Sequence, residues 1–214
     1  GGWAPSFSLR FESLFEDQND PKAEAVEARP RSITINPLRF TEAIGVSRAL
    51  LDGEDQFLLA RFGGALHQSS RVYWLAAPGV SDEKIREGTL DGGLELLLNY
   101  RDKILQERVD FESRLTFYQP LFISMDDDLE AIDPDLPDYA KTLDIDWENT
   151  FITYVTEVIN IQLYLRWVYD KYDNTVAPVV DADGAVNNLE DIANAVRKKG
   201  QFKQTMSLGV AFAF

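Results

Sequence analysis

Apolar and polar residues alternate with a period of two along most of this chain, most cleanly in its last segment. From Gln201 to Phe214, Phe202, Met206, Leu208, Val210, Phe212 and Phe214 fall on one side of an extended strand, and Lys203, Thr205, Ser207, Gly209, Ala211 and Ala213 on the other. Successive side chains of a strand point to opposite faces, so one face is apolar throughout and the other is narrow and polar. Seven earlier segments repeat the pattern. Ala4 to Phe15 sets Phe7, Leu9, Phe11 and Phe15 against Ser6, Ser8, Arg10 and Glu12. Ser32 to Leu50 changes phase at Pro37, which reads as a bulge; beyond it Leu38, Phe40, Ile44 and Val46 oppose Arg39, Thr41, Gly45 and Ser47. Gln56 to Leu66 turns Arg61 away from Leu58, Ala60, Phe62 and Leu66, and Gly93 to Lys103 turns Glu95, Asn99, Arg101 and Lys103 away from Leu94, Leu96, Leu98 and Tyr100.

Glu107 to Phe122 opposes Asp110, Glu112, Arg114 and Thr116 to Val109, Phe111, Leu115 and Phe117. Trp147 to Thr156 is the least regular, since Ile152 and Tyr154 share a face with Glu148 and Thr150. Asn160 to Tyr172 recovers the pattern, with Gln162, Tyr164, Arg166 and Asp170 opposite Ile161, Leu163, Leu165, Trp167 and Tyr169. Between these segments, long connections (Glu16 to Arg31, Gln68 to Asp91, Ser124 to Asp146, Asn174 to Gly200) alternate with short ones (Asp52 to Asp55, Ile104 to Gln106, Glu157 to Ile159). Eight alternating strands with long loops at one end and short turns at the other predict an all-β, antiparallel, up-and-down transmembrane β-barrel.

Composition narrows the function classes. The 214 residues carry 36 acidic and 21 basic side chains, a formal charge of −15, which argues against nucleic acid as a partner because phosphate contacts need clustered Lys and Arg. No Cys is present, so disulfide and thiol chemistry are excluded. No apolar run reaches the roughly 18 residues of a membrane helix, but barrel strands escape that criterion. The chain reads as one domain over residues 1–214, with the alternative that it is the C-terminal part of a larger barrel.

In such a barrel the polar set faces the lumen: Arg10, Glu12, Arg39, Arg61, Glu95, Arg101, Asp110, Glu112, Arg114, Gln162, Tyr164 and Arg166. Eight strands leave an interior just wide enough for side chains, so these charges are expected to pair across it, or to line a narrow passive pore. Trp3, Trp147, Trp167, Tyr169 and Phe214 are candidates for the interfacial aromatic girdles, as are Tyr118, Phe122 and Tyr172. The single His67, at a strand end or in a loop, has Ser69 and Ser70 nearby but nothing else that suggests a catalytic relay, so no enzymatic role, cofactor or metal site is expected. A weak calcium candidate, Asp181, Asp183 and Glu190, lacks a ligating residue at its first position, Val179. It competes with a short helix from Leu189 to Lys199. The acidic stretch from Asp126 to Asp146 reads as a solvated loop.

Several short motifs resemble a known family. Asn99-Tyr100-Arg101-Asp102-Lys103-Ile104, Asp144-Ile145-Asp146-Trp147-Glu148-Asn149, Val168-Tyr169-Asp170-Lys171 and Thr34-Ile35-Asn36-Pro37-Leu38 look like the C-terminal part of the Bacteroidota outer-membrane barrels catalogued as domain of unknown function 3078. The resemblance implies an outer-membrane location and assigns no activity. The terminal Phe214 resembles the signal that outer-membrane barrels present to their assembly machinery. The partners expected are outer-membrane lipid, that machinery and other envelope proteins. The competing expectations are a soluble lipocalin-like barrel around an apolar ligand, with the two faces exchanged, and a subunit of a larger envelope complex.

Overall fold

The alternating segments fold as strands, and helix is confined to short pieces. The computed structural model describes residues 2–17, 33–74, 84–156, 158–169 and 200–210, with Glu190, Asp191 and Asn194. In chain order its elements are β1 (Ala4–Ser13), β2 (Glu16–Asp17), β3 (Ile33–Thr34), β4 (Leu38–Asp52), β5 (Phe57–Trp74), β6 (Lys84–Ile104), β7 (Val109–Ile123), α1 (Asp126–Ile132), α2 (Leu136–Ala140), β8 (Asp144–Tyr154), β9 (Ile159–Tyr169) and β10 (Gln201–Val210). Eight strands form one antiparallel sheet in the order β1-β4-β5-β6-β7-β8-β9-β10, and β2 and β3 form a separate two-stranded ladder.

The sheet is open where a closed barrel was expected. Among the described residues, β1 and β10 each have one neighbouring strand. Alternation specifies which face each residue occupies, but closure depends on how the two edges meet, and no local pattern encodes that. The sheet is nonetheless strongly curled, because residues from β1, β4, β5, β6, β7, β8 and β9 border one common cavity. Glycine permits part of the curl. Gly45 and Gly63 are opposite each other on β4 and β5, and a Cβ on either would collide with the backbone of the facing strand. A bulge at Leu121 of β7, opposite Gly92 and Gly93 of β6, bends β7 against β6, the usual means of curving a sheet.

Four boundaries differ from the sequence reading. First, β5 and β6 run on past Leu66 and before Gly93, their ladder extending to Trp74 opposite Lys84. At 18 and 21 residues they exceed the roughly 9–11 that a tilted membrane crossing needs, so the hairpin projects beyond the other strands. Its polar Gln68, Ser69 and Ser70 imitate a loop in the sequence. Second, Pro37 marks no bulge. It follows a turn between β3 and β4, where the Asn36 side chain donates to the Val72 carbonyl at 3.0 Å and accepts from the Val72 N–H at 2.8 Å. Third, Glu107 belongs to a tight turn with Leu105 and Gln106, all three left-handed, and β7 starts at Val109.

Fourth, the acidic stretch after β7 is folded. Three Asp residues sit in the first turn of α1, where the helix dipole favours them, while Leu129 and Leu136 are completely buried. Lys141 reaches back to Asp126 at 2.6 Å, and Gln119 of β7 donates to the Lys141 carbonyl at 2.6 Å. The density of charge imitates a solvated loop, while the apolar residues spaced between the charges form the buried side of the two helices.

Candidate functional site: the polar inner face

Strand register carries the two faces around the whole sheet, with Leu97, Ile152 and Val168 as apolar members of the inward set and Glu42, Arg48 and Asp102 as charged members of the outward one. The outward set includes Phe7 and Ile44, both 72% exposed, Leu208 at 70% and Met206 at 69%. The inward set contains Asp91 at 5% and Glu95 at 7%. Large apolar side chains are therefore uncovered on one face while these two carboxylates are buried on the other.

Two cavities lie along the inner face. The larger, about 670 Å³, is bordered by Arg10, Glu12, Arg61, Glu95, Arg114 and Arg166 from the expected set. The smaller, about 340 Å³, is bordered by Arg101 and Glu112, and again by Arg114. Arg39, Asp110, Gln162 and Tyr164 share the face by register, opposite Glu12, Lys103, Ser207 and Thr205 respectively, but border neither of these cavities.

Several of these charges pair with one another, Arg10 with Glu12 on the same strand at 2.7 Å among them. Arg61 forms a hydrogen-bonded ion pair with Glu95 across β5 and β6, with side chains 17% and 9% exposed. Arg166 grips Asp146 with two bonds, Nε at 2.9 Å and Nη2 at 2.7 Å, and lies 3.7 Å from Glu148. Two parallel N–H donors on one carboxylate are the strong form of this contact. Toward the end with the long connections, Tyr118 donates to Asp91 at 2.6 Å, and His67 Nδ1 lies 3.3 Å from the same oxygen. The His67 and Tyr118 rings are 4.0 Å apart, and Tyr118 packs with Ala43 and Ala65, whose small side chains leave it room.

His67 is thus well inside a strand and faces the cavity, which corrects its placement at a strand end or loop. Ser69 shares its face, but no hydrogen bond joins the two among the described residues. Asp91, Tyr118, Asp144 and Asp146 all border the larger cavity and were missed as inner residues. The phase was available: Asp144, Asp146 and Glu148 alternate, and Tyr118 is in step with Arg114 and Thr116. Tyr118, offered as a girdle residue, belongs to the interior.

Of the aromatic candidates, Trp3 is exposed, while Trp147 and Trp167 are register partners on the outer face, with Phe202 next in the same row. Trp147 donates to the Ser113 hydroxyl at 3.0 Å. Tyr169 is half-buried and borders the larger cavity. Phe214, Tyr172, Asp181 and Asp183 lie outside the described residues, and Glu190 is exposed. Among the described residues, no group of three or more His, Asp or Glu side chains is placed to hold a metal ion, and no helix is long and apolar enough to cross a membrane. Comparison with protein-family models, curated proteins and solved structures gave no match.

Proposed function

We propose that the chain is a bacterial outer-membrane β-barrel without catalytic activity, whose role is structural or assembly-related, its interior filled by paired side chains. The observation that carries this reading is the inversion of the two faces. Exposed large apolar side chains stand on the outer face of each of the eight strands, and ion pairs and buried carboxylates occupy the inner one. Apolar area in contact with water forfeits about 25 cal/mol per Å², whereas acyl chains are a good solvent for it. A soluble barrel around an apolar ligand needs the opposite arrangement.

The row of Trp147, Trp167 and Phe202 near the long-connection end suits an interfacial girdle. Lipid, the assembly machinery that reads the last strand, and envelope proteins on the long-connection side are the partners in this proposal. The likeness to the domain of unknown function 3078 barrels belongs to it on its short motifs alone. A narrow passive pore is the second reading, favoured by Arg114, which borders both cavities.

The test is folding into detergent followed by electrophoresis with and without boiling, and conductance in a planar bilayer. A compact band that shifts on boiling, without current steps, is expected. Discrete steps that change size in Arg114→Gln would replace the filled interior with the pore. Stable folding in buffer without detergent would remove the membrane from the account.

A further inference from the structure

The two open edges are complementary, and the register of the sheet states how they fit. Following Cα partners across the sheet from Ala4 leads through Ser47, Arg61, Leu97, Thr116, Asp146 and Val168 to Gln201. The path starts at the short-turn end of β1 and arrives at the long-connection end of β10. The accumulated stagger is therefore about one strand length, as a tilted barrel requires. Strands rising about 3.3 Å per residue and spaced about 4.8 Å apart, tilted about 35–45°, close an eight-stranded barrel with a stagger of about 8–12 residues. The stagger must also be even, because the inward residues of β1 have even numbers and those of β10 odd ones.

Charge selects among the three values. A stagger of eight puts Arg10 opposite Lys203, a like-charge pair that destabilises. A stagger of twelve carries Lys203 past the end of β1, opposite Leu14. A stagger of ten puts Glu12 opposite Lys203, Arg10 opposite Thr205, Ser8 opposite Ser207 and Ser6 opposite Gly209. We propose that β1 and β10 pair with each other in this register, closing the sheet as an eight-stranded barrel held at its seam by Glu12 and Lys203. The inference rests on the membrane reading, because an open strand edge in lipid leaves backbone groups unsatisfied. The inward residues Arg10, Glu12, Lys203, Thr205 and Ser207 are exposed in the open sheet, and closure covers them.

The native chain has no Cys, so paired cysteines report the seam directly. Ser8→Cys is combined in turn with Thr205→Cys, Ser207→Cys and Gly209→Cys, folded into lipid vesicles and oxidised, and the products are identified by mass spectrometry. The Ser207 partner is expected to cross-link within one chain in most molecules, and the other two several-fold less, since directly opposed Cβ atoms are about 4.5–5.5 Å apart and diagonal ones about 7–8 Å. Preferred cross-linking to Thr205→Cys or Gly209→Cys overturns the register. Cross-links only between chains would pair the edges with a second copy and overturn closure. No cross-link in protein that still partitions into vesicles overturns closure while sparing the membrane reading. As a second measurement, Glu12→Lys and Lys203→Glu should each lower the unfolding midpoint, and together lower it by less than the sum of the two, full restoration not being expected because Glu12 also pairs with Arg10 at 2.7 Å and faces Arg39; additive losses would contradict the seam pair.

Discussion

Met206 and Ser207 are consecutive residues of β10, yet they belong to opposite environments. The outer face to which Met206 contributes is mainly apolar, with few bonds to hold its side chains. The inner face to which Ser207 contributes is polar, and toward the centre of the sheet its residues are tied pairwise, as in Arg61 with Glu95, Arg166 with Asp146, and Tyr118 with Asp91. On the membrane reading proposed above, the two faces are matched to two solvents: outward, complementarity is with a fluid medium and needs only apolar character, and inward, a charged group removed from water needs a partner, because an unpaired buried ion costs several kcal/mol.

This contrast ranks the expected effects. Glu95→Ala leaves the Arg61 guanidinium unpaired in the interior and should cost about 3–5 kcal/mol in urea unfolding from vesicles, with Arg61→Ala/Glu95→Ala costing less than the single change. Ile44→Arg on the outer face should cost about 2–4 kcal/mol in a bilayer; an effect within about 0.5 kcal/mol would mark Ile44 as facing water. Tyr118→Phe removes the hydroxyl donated to Asp91 and should cost about 1–3 kcal/mol, without altering partition into lipid.

The smallest effect is expected at one of the charged residues of the outer face. Glu42 is on the outer face, with Leu9 and Leu66 as its partners on the flanking strands. Glu42→Leu should stabilise the lipid-embedded protein by less than about 2 kcal/mol. A loss of stability would show that Glu42 meets a polar partner there.

Much of this contrast was legible in the sequence because period two is a local property. Arg10, Arg61, Glu95 and Arg166 were assigned to the inner face from their immediate neighbours, and all four border the larger cavity. What escaped depends on residues far apart. The β5–β6 hairpin was cut short because Ser69 and Thr89 support a ladder only through each other. Asp91 reads as part of a loop for the same reason, although His67 and Tyr118 converge on it. The α1–α2 pair lay hidden in a run whose charges outweigh the spacing of Leu129, Leu136 and Ala140. The open edges were invisible, since strand count does not decide closure.

The most direct test of the inversion uses the same two neighbours on β10. Met206→Cys and Ser207→Cys, made separately, are labelled with an environment-sensitive fluorophore and folded into vesicles that carry nitroxide lipids. The account predicts blue-shifted, nitroxide-quenched emission from the label at 206, and emission little affected by the lipid quencher at 207. The opposite pattern, or two labels equally open to aqueous iodide and untouched by the lipid quencher, would contradict it.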